Sequence, residues 1–137
     1  MANAIYPKYK EAAMGGGSNV NMLTGTVKAA LIDTANYTYA ATHEFLDDVT
    51  SGTDPRIGTD QTLGTKSVTN GAFDSADPSW TGLTGDSVEA IIIYIDTGTP
   101  GTSRLIAYLD TGQTNLPFTP NGGDVTFNVD ASGWFSL

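Results

Sequence analysis

The sequence predicts a mainly β protein, an antiparallel β-sandwich with a short N-terminal helical arm and one short helix near residues 42–49. Three observations support this fold class. Charged residues make up only 15% of the 137 residues, and Lys and Glu, which exposed helices favour, are scarce. Gly, Thr, Ser, Asn and Asp are abundant, as expected of strands joined by many turns. Several apolar segments have the length and period of strands.

The N-terminal segment is expected to form the arm. Residues 5–14 predict a short helix, with Pro7 in its first turn and the glycines at 15–17 ending it. Its apolar side must dock on this chain or on a neighbour, and both alternatives stay open. The candidate partner-binding residues of this arm are Tyr6, Lys8, Tyr9, Lys10 and Met14. Because the length suits one core, we expect residues 1–24 to be arm and Gly-rich hinge, and residues 25–137 a single β-rich domain.

The first half of this domain combines strands with one helix. Residues 26–33 are apolar on both faces, which predicts a strand inside a sandwich or barrel, and residues 37–39 extend it or form an edge. Residues 42–49 predict a helix with Thr42 as its N-cap. For residues 63–73 we favour one extended strand with a bulge, and the alternative is a hairpin that turns at Asn-Gly.

The second half contains the strongest strand pair. Residues 87–95 and 103–109 are runs of Val, Ile, Leu, Tyr and Ala joined by a Gly- and Pro-containing loop, which predicts a central hairpin. Residues 79–83 predict a short strand. Residues 124–129 alternate between apolar and polar side chains, and residues 135–137 repeat that period. We therefore expect the last segments to pair as strands.

The charge of the chain limits the partners it can have. Six Lys and Arg against 15 Asp and Glu give a net charge of −9. Arg56, Lys66 and Arg104 are isolated, whereas nucleic-acid binding needs clustered cations, so we predict no nucleic-acid partner. An acidic surface suits solubility or docking on a basic protein surface. The longest apolar run, residues 90–95, is far below the roughly 20 residues of a membrane span, so no membrane association is predicted.

Few side chains have the pattern of a catalytic or metal site. Residues 85–88, Gly-Asp-Ser-Val, resemble the nucleophile block of GDSL-type esterases, but Ser87 would need a histidine base. That family places its histidine after the serine, whereas the single histidine of this chain, His43, comes before it. A turn ahead of a strand explains the segment better. With one histidine and no cysteine, we predict no metal and no cofactor.

Two binding chemistries stay open. Aspartates in loops, such as Asp47, Asp48 and Asp54, supply the oxygen ligands that calcium prefers, although the spacing of an EF-hand is missing. Trp80, Trp134 and the tyrosines suit stacking on sugars, although core packing also accounts for them.

Several segments, taken in order along the chain, carry a family resemblance. They are Tyr-Pro-Lys-Tyr-Lys-Glu-Ala at 6–12, Val-Lys-Ala-Ala-Leu-Ile-Asp-Thr at 27–34, Tyr-Thr-Tyr at 37–39, His-Glu-Phe-Leu-Asp-Asp-Val at 43–49, residues 85–90 and 94–99, and Leu-Pro-Phe-Thr-Pro-Asn-Gly-Gly-Asp at 116–124. Together these segments span almost the whole chain. Their order resembles that of small virion structural proteins of tailed bacteriophages.

The resemblance implies a fold and a function. It implies a compact domain of jelly-roll type and a non-enzymatic capsid decoration or cement protein, which binds the outer shell and bridges neighbouring major capsid subunits. The expected partners are the major capsid protein or other virion proteins, with self-association on the particle, and the expected location is the virion. One alternative is a tail- or fibre-associated module that binds glycans through Trp80, Trp134 and exposed tyrosines. A small serine hydrolase using Ser87 is the other.

Overall fold

The computed structural model describes residues 3–113 and 115–137. These residues form ten strands: β1 (Ala4–Ile5), β2 (Thr26–Ile32), β3 (Arg56–Thr62), β4 (Ser67–Thr69), β5 (Ala72–Asp74), β6 (Ser79–Trp80), β7 (Ala90–Asp96), β8 (Arg104–Leu109), β9 (Val125–Thr126) and β10 (Phe135–Ser136). They also form two helices, α1 (Pro7–Gly15) and α2 (Asp47–Thr50). The prediction of a mainly β, antiparallel fold with a short N-terminal helix is confirmed.

The strands divide into three antiparallel sheets. The main sheet has five strands in the order β1-β8-β7-β2-β3, and the smaller sheets have the orders β10-β5-β4 and β6-β9. The predicted central hairpin is confirmed as β7 and β8, which are neighbours in the main sheet. The jelly-roll detail is not confirmed, because a jelly roll places eight strands in two sheets, whereas these strands form sheets of five, three and two.

The core lies on both faces of the middle of the main sheet. Residues 90–95 of β7 are all at most 3% exposed, and every residue of β8 is buried as well. The residue at the centre, Ile93, lies between Ala29 of β2 and Ala107 of β8. Burying one isoleucine side chain contributes roughly 1.5–3 kcal/mol, so this continuous apolar run is a large share of the stability. A run without alternation is typical of a strand covered on both faces.

The N-terminal segment is part of this core. Strand β1 pairs with β8, and the Tyr6 amide donates a hydrogen bond to the Ile106 carbonyl at 2.9 Å. Helix α1 follows at once because Pro7 fits a first helical turn, and it ends where Gly16 takes a φ of +73°. Tyr6 is fully buried and Tyr9 is 5% exposed, so the segment packs on its own chain. The predicted division at residue 24 stays a prediction.

The helix predicted at residues 42–49 is wrong in its extent. Helix α2 has only four residues and begins at Asp47, and Thr42 does not cap it. The reason is that backbone amides which would start a longer helix have other partners. The Leu46 amide donates to the Ser103 carbonyl at 2.8 Å, and the Asp48 carboxylate accepts hydrogen bonds from the amides of Glu44 and Phe45. Phe45 instead forms an isolated antiparallel bridge with Arg104 at the start of β8.

Two strand predictions are corrected. Residues 37–39 are irregular and form neither an extension of β2 nor an edge, because their tyrosines fold back against Tyr6 and Tyr108. Residues 63–73 do not form the favoured single strand. The alternative is correct: Asn70 and Gly71 have φ values of +52° and +82° and join β4 to β5, as in a type I′ hairpin.

Strand β3 was not predicted from the sequence. Its residues, Arg-Ile-Gly-Thr-Asp-Gln-Thr, lack an apolar alternation. It is the edge strand beside β2, and none of its residues is fully buried. Gly58 interrupts it with a φ of +74°, and a Cβ there would lie 2.5 Å from a methyl group of Leu83. The bulge thus brings this edge under the Trp80–Leu83 segment.

The C-terminal segments pair only briefly. Of the predicted strand 124–129, only Val125–Thr126 pairs, with β6, while Phe127 is buried further on. The predicted terminal strand is present as β10, which pairs with β5. Trp134 stacks on Phe127 with ring centroids 5.2 Å apart and donates its indole N–H to the Ser75 hydroxyl at 2.8 Å.

A buried chain of hydrogen bonds joins the N-terminal segment to the loop after β2. The Tyr6 and Tyr37 hydroxyls lie 2.8 Å apart, and the Tyr37 hydroxyl lies 2.8 Å from Nδ1 of His43. In the tautomer that carries its proton on Nε2, Nδ1 accepts from the Tyr37 hydroxyl, which accepts in turn from the Tyr6 hydroxyl.

We predict that Tyr37→Phe lowers the free energy of unfolding by about 1–3 kcal/mol, because it leaves the fully buried Tyr6 hydroxyl without a partner. The measurement is urea denaturation at pH 7. Tyr39→Phe is the matched control, since Tyr39 is half-exposed and packs against the same rings. Its loss should stay below about 0.5 kcal/mol. Equal losses for the two variants would contradict the role of the hydrogen-bond chain.

Candidate functional site

A groove lined mainly by apolar residues lies beside the hairpin of β4 and β5, and we name it the apolar groove. Its volume is about 260 Å³, and its apolar lining residues are Tyr9, Val20, Met22, Leu23, Val68, Phe73, Phe135 and Leu137. Three of the four large hydrophobic side chains that are exposed in the described part of the chain belong to it. They are Leu23, Val68 and Leu137, which are 50%, 46% and 62% exposed.

Local structure holds these side chains in place. The Asn21 side chain accepts hydrogen bonds from the amides of Leu23 and Thr24 at 2.9 and 3.1 Å, which fixes the turn that presents Leu23. In the neighbouring sheet, Phe73 of β5 lies opposite both Val68 and Phe135. The rings of Phe73 and Phe135 are 5.7 Å apart. The groove is therefore a preformed surface on strands and a capped turn.

The groove has no charged side chain among its lining residues, although the chain as a whole carries −9. The other lining residues are Asn21 and Gly71. Transferring this surface from water to an apolar partner surface would not require desolvation of a charged side chain. The arrangement suits burial against another protein better than chemistry on a small polar substrate.

The predicted arm residues, which lie on and just before α1, differ widely in exposure. Tyr6 lies in the core and is wrong as a partner-binding residue, because no part of it is accessible. Tyr9 is nearly buried but lines the apolar groove. Lys8 forms an exposed ion pair with Glu11, Lys10 is exposed, and Met14 is 84% exposed. For these three residues partner binding stays a prediction.

Sequence reasoning missed the groove itself. Val68 and Phe135 were expected only as strand residues, and Leu23 was given no role. These residues are recognised as a candidate binding surface because their apolar side chains remain accessible to solvent in the folded structure. A pattern of apolar and polar residues along the sequence would assign such side chains to the core. That exposure depends on how the hairpin, β10 and the turn at Asn21 meet, and these segments are far apart in the chain.

A second concave surface, which we name the charged pocket, has a volume of about 460 Å³ and lies beside β3. Lys28 Nζ lies 2.9 Å from the Asp96 carboxylate, and Arg56 bonds Asp54 and Asp60 at 2.9 and 2.8 Å. The Tyr94 hydroxyl donates to Asp60 at 2.5 Å. Both cations of the pocket are therefore paired within it, and the Tyr94–Asp60 hydrogen bond links edge strand β3 to β7.

The electrostatics of the charged pocket keep its groups in their ordinary charge states. The hydrogen bond and charge of Lys28 hold the pKa of Asp96 below its usual value. Partial burial alone would raise the pKa of Asp54, but hydrogen bonds from Arg56 outweigh it and lower that pKa. Burial and the hydrogen bond to Asp60 raise the pKa of Tyr94. None of these groups is tuned toward neutral pH, where general acid–base catalysis works best.

The residues of the hydrolase hypothesis are not brought together. Nδ1 of His43 is bonded to the Tyr37 hydroxyl, whose pKa burial raises to about 12. Ser87 hydrogen-bonds Glu89. Within residues 3–113 and 115–137, no hydrogen bond joins Ser87 to His43. The serine therefore lacks the base that nucleophilic attack requires.

The tryptophan platform of the glycan hypothesis is wrong. Trp80 and Trp134 are 2% and 6% exposed, because Trp80 packs over Gly58 and Trp134 stacks on Phe127. A sugar ring has no access to either indole face. Glycan binding through exposed tyrosines stays a prediction.

In the part of the chain that the structure describes, no group of three or more His, Asp or Glu side chains is arranged to hold a metal ion. Asp47, Asp48 and Asp54, the loop aspartates considered for calcium, are among the residues searched, and they do not form such a group. No helix among the same residues has the length and apolar character needed to cross a membrane.

The Lys28–Asp96 pair makes stability depend on pH. The pKa of Asp96 is lowered in the folded state, so its contribution is present above the unfolded value of about 3.9 and is lost as pH falls through the folded value. We predict that Asp96→Asn costs about 0.5–1 kcal/mol at pH 7 and progressively less as the pH is lowered below about 3.9. Denaturant unfolding of both proteins at each pH measures the difference. A cost that does not change with pH would exclude the ion pair as its source.

Comparison with known proteins adds no family to these observations. No protein-family model matches the chain, and no curated protein has a significantly similar sequence.

Proposed function

We propose that this chain is a non-enzymatic capsid decoration or cement protein that docks through its apolar groove on the outer shell of a tailed-phage particle. The observation that carries the proposal is the clustering of Leu23, Val68 and Leu137, all exposed, around one preformed groove. Contiguous apolar surface with such exposure is typical of a protein–protein contact. The order of sequence segments that resembles tailed-phage virion proteins supports the setting.

The occupant of the groove that we propose is the major capsid protein, through an apolar ridge flanked by basic residues. The chain carries −9 and the groove lining is uncharged, so a partner with basic residues beside the ridge gains attraction without burying a charge. Groove-to-groove pairing of two copies would instead bring two charges of −9 together. Self-association elsewhere on the particle stays a prediction.

A cement function needs binding free energy more than chemistry. A shell that holds packaged DNA under pressure gains stability from each added contact across a subunit boundary, because a ligand that binds only the assembled state shifts the equilibrium toward it. The groove offers rigid anchors for such a contact, since Phe73 and Phe135 are held by two paired strands.

The test is co-sedimentation of the purified chain with capsids assembled from the major capsid protein of the same genome. We predict that Val68→Asp lowers occupancy at least about tenfold, because docking would bury an unpaired carboxylate at a cost above about 1.4 kcal/mol. Met14→Asp is the matched control, since Met14 is 84% exposed and does not line the groove. It should leave occupancy within about twofold.

Thermal unfolding must show that both variants are folded, and Val68 is suited to this because it is already 46% exposed. Loss of binding with Met14→Asp but not Val68→Asp would move the contact to the arm and contradict docking through the groove. No binding of the unmodified chain to capsids would overturn the decoration function itself.

A further inference from the structure

A third concave surface lies where β2 ends, β7 begins and β8 ends, and we name it the tyrosine pocket. Its volume is about 480 Å³, and it is lined by Thr34, Tyr37, Thr38, Tyr39, Glu89, Tyr108, Asp110, Thr111 and Pro117. The antiparallel order of the three strands brings these distant segments to one end of the main sheet. It shares no residue with the apolar groove or the charged pocket.

Three aromatic rings form one side of the pocket. The Tyr39 and Tyr108 rings have centroids 5.5 Å apart, and those of Tyr37 and Tyr108 are 6.1 Å apart, each pair tilted by about 45°. Tyr37 and Tyr108 are fixed because they are buried in the core, while Tyr39 is half-exposed. The rings of Tyr37 and Tyr108 are almost wholly covered at 6% and 2% exposure, so the half-exposed Tyr39 ring is the aromatic surface open to a cation.

An anionic group completes the pocket. Glu89 Oε1 accepts hydrogen bonds from the Thr34 amide at 3.0 Å and the Thr34 hydroxyl at 3.1 Å. Partial burial would raise the pKa of Glu89, but hydrogen bonds from Ser87 and Thr34 outweigh it and lower that pKa. Glu89 is therefore ionised at neutral pH and held in one orientation. Asp110 also lines the pocket, with its Oδ1 accepting from the Thr111 hydroxyl.

The charge of the lining selects among ligands. It contains carboxylates and no Lys, Arg or His. Burial, with the charges of Asp110 and Glu89, raises the pKa of Tyr108 to about 12, so the negative field reaches into the aromatic side of the pocket. An anion would be repelled, and a neutral sugar would gain nothing from this field. A cation gains both from the field and from the tyrosine rings.

We propose that the tyrosine pocket binds one ammonium or guanidinium group, the side chain of a Lys or Arg on a protein partner. The half-exposed Tyr39 ring contacts the apolar stem and the cation, and Glu89 accepts a charge-assisted hydrogen bond from its N–H groups. The inference does not depend on the proposed docking groove, because the two surfaces are lined by different residues. A cationic side chain is also attracted by the net charge of −9 that the whole protein carries.

The first experiment uses N-acetyl-lysine methylamide as the probe and follows amide shifts of the ¹⁵N-labelled chain by NMR. We expect saturable shifts at residues around Tyr39 and Glu89, with a dissociation constant on the order of 1–10 mM for a single cation contact. N-acetyl-norleucine methylamide, which has the stem without the charge, should bind at least about tenfold more weakly. Equal binding of the two probes, or shifts confined to other surfaces, would overturn the proposal.

Variants separate the charge from the rings. Glu89→Gln keeps an oxygen to accept the Thr34 hydrogen bonds but removes the charge, and we expect about fivefold or more weaker binding of the lysine probe. Tyr39→Leu should weaken it about threefold by removing a ring face. Glu11→Gln is the control, since Glu11 is exposed on α1 outside the pocket, and it should leave binding unchanged.

A neutral sugar is the competing ligand. The test repeats the NMR titration with methyl glucoside. If methyl glucoside binds more tightly than the lysine probe, shifts the same residues and is unaffected by Glu89→Gln, the ligand of the pocket is a glycan and not a cation. Lysine binding that persists in Glu89→Gln at full strength would also reject the assignment. Either result leaves capsid binding by the groove untouched, because that binding is measured with Val68→Asp.

Discussion

The burial of both faces of the main sheet is the constraint on which the rest of the molecule depends. Residues 90–95 of β7 are apolar without alternation and are all buried, so each face must be covered by other parts of the chain. Tyr6 and Tyr9 at the N-terminus and the aromatic residues of the smaller sheets belong to the same core cluster. A chain of this size builds one core, and its short outer strands are held in place by that core more than by their own pairing.

This arrangement also decides where surfaces for binding lie. The two ends of β2 and β7 carry opposite kinds of pocket. At one end Lys28 and Asp96 belong to a set of paired charges, and at the other Glu89 faces three tyrosine rings. The apolar groove forms elsewhere, where the hairpin of β4 and β5 meets β10 and the turn at Asn21. The charged pocket satisfies its own cations and holds an edge strand, whereas the groove and the tyrosine pocket present groups that another molecule can use.

Taken together, these surfaces favour association over catalysis. Burial of the apolar groove against a partner would contribute affinity. The carboxylate beside the aromatic rings would favour a cationic group over a neutral or anionic one. Ser87 and His43 take part in separate hydrogen bonds that stabilise the fold, with Glu89 and with Tyr37. The proposed groove contact and the proposed cation pocket would together suit a partner whose surface is basic around an apolar ridge.

The sequence by itself determined the elements whose information is local. The runs of β2, β7 and β8 and the proline and glycines around α1 each carry their signal within a few residues, whereas only the structure decided that the chain turns at Asn70 and Gly71. Tertiary structure alone decided strand β3, the shortening of α2, the burial of both tryptophans and the grouping of Leu23, Val68 and Leu137. The physical reason is that exposure, edge pairing and competing amide partners arise between segments distant in the chain. No periodicity of neighbouring residues encodes those contacts.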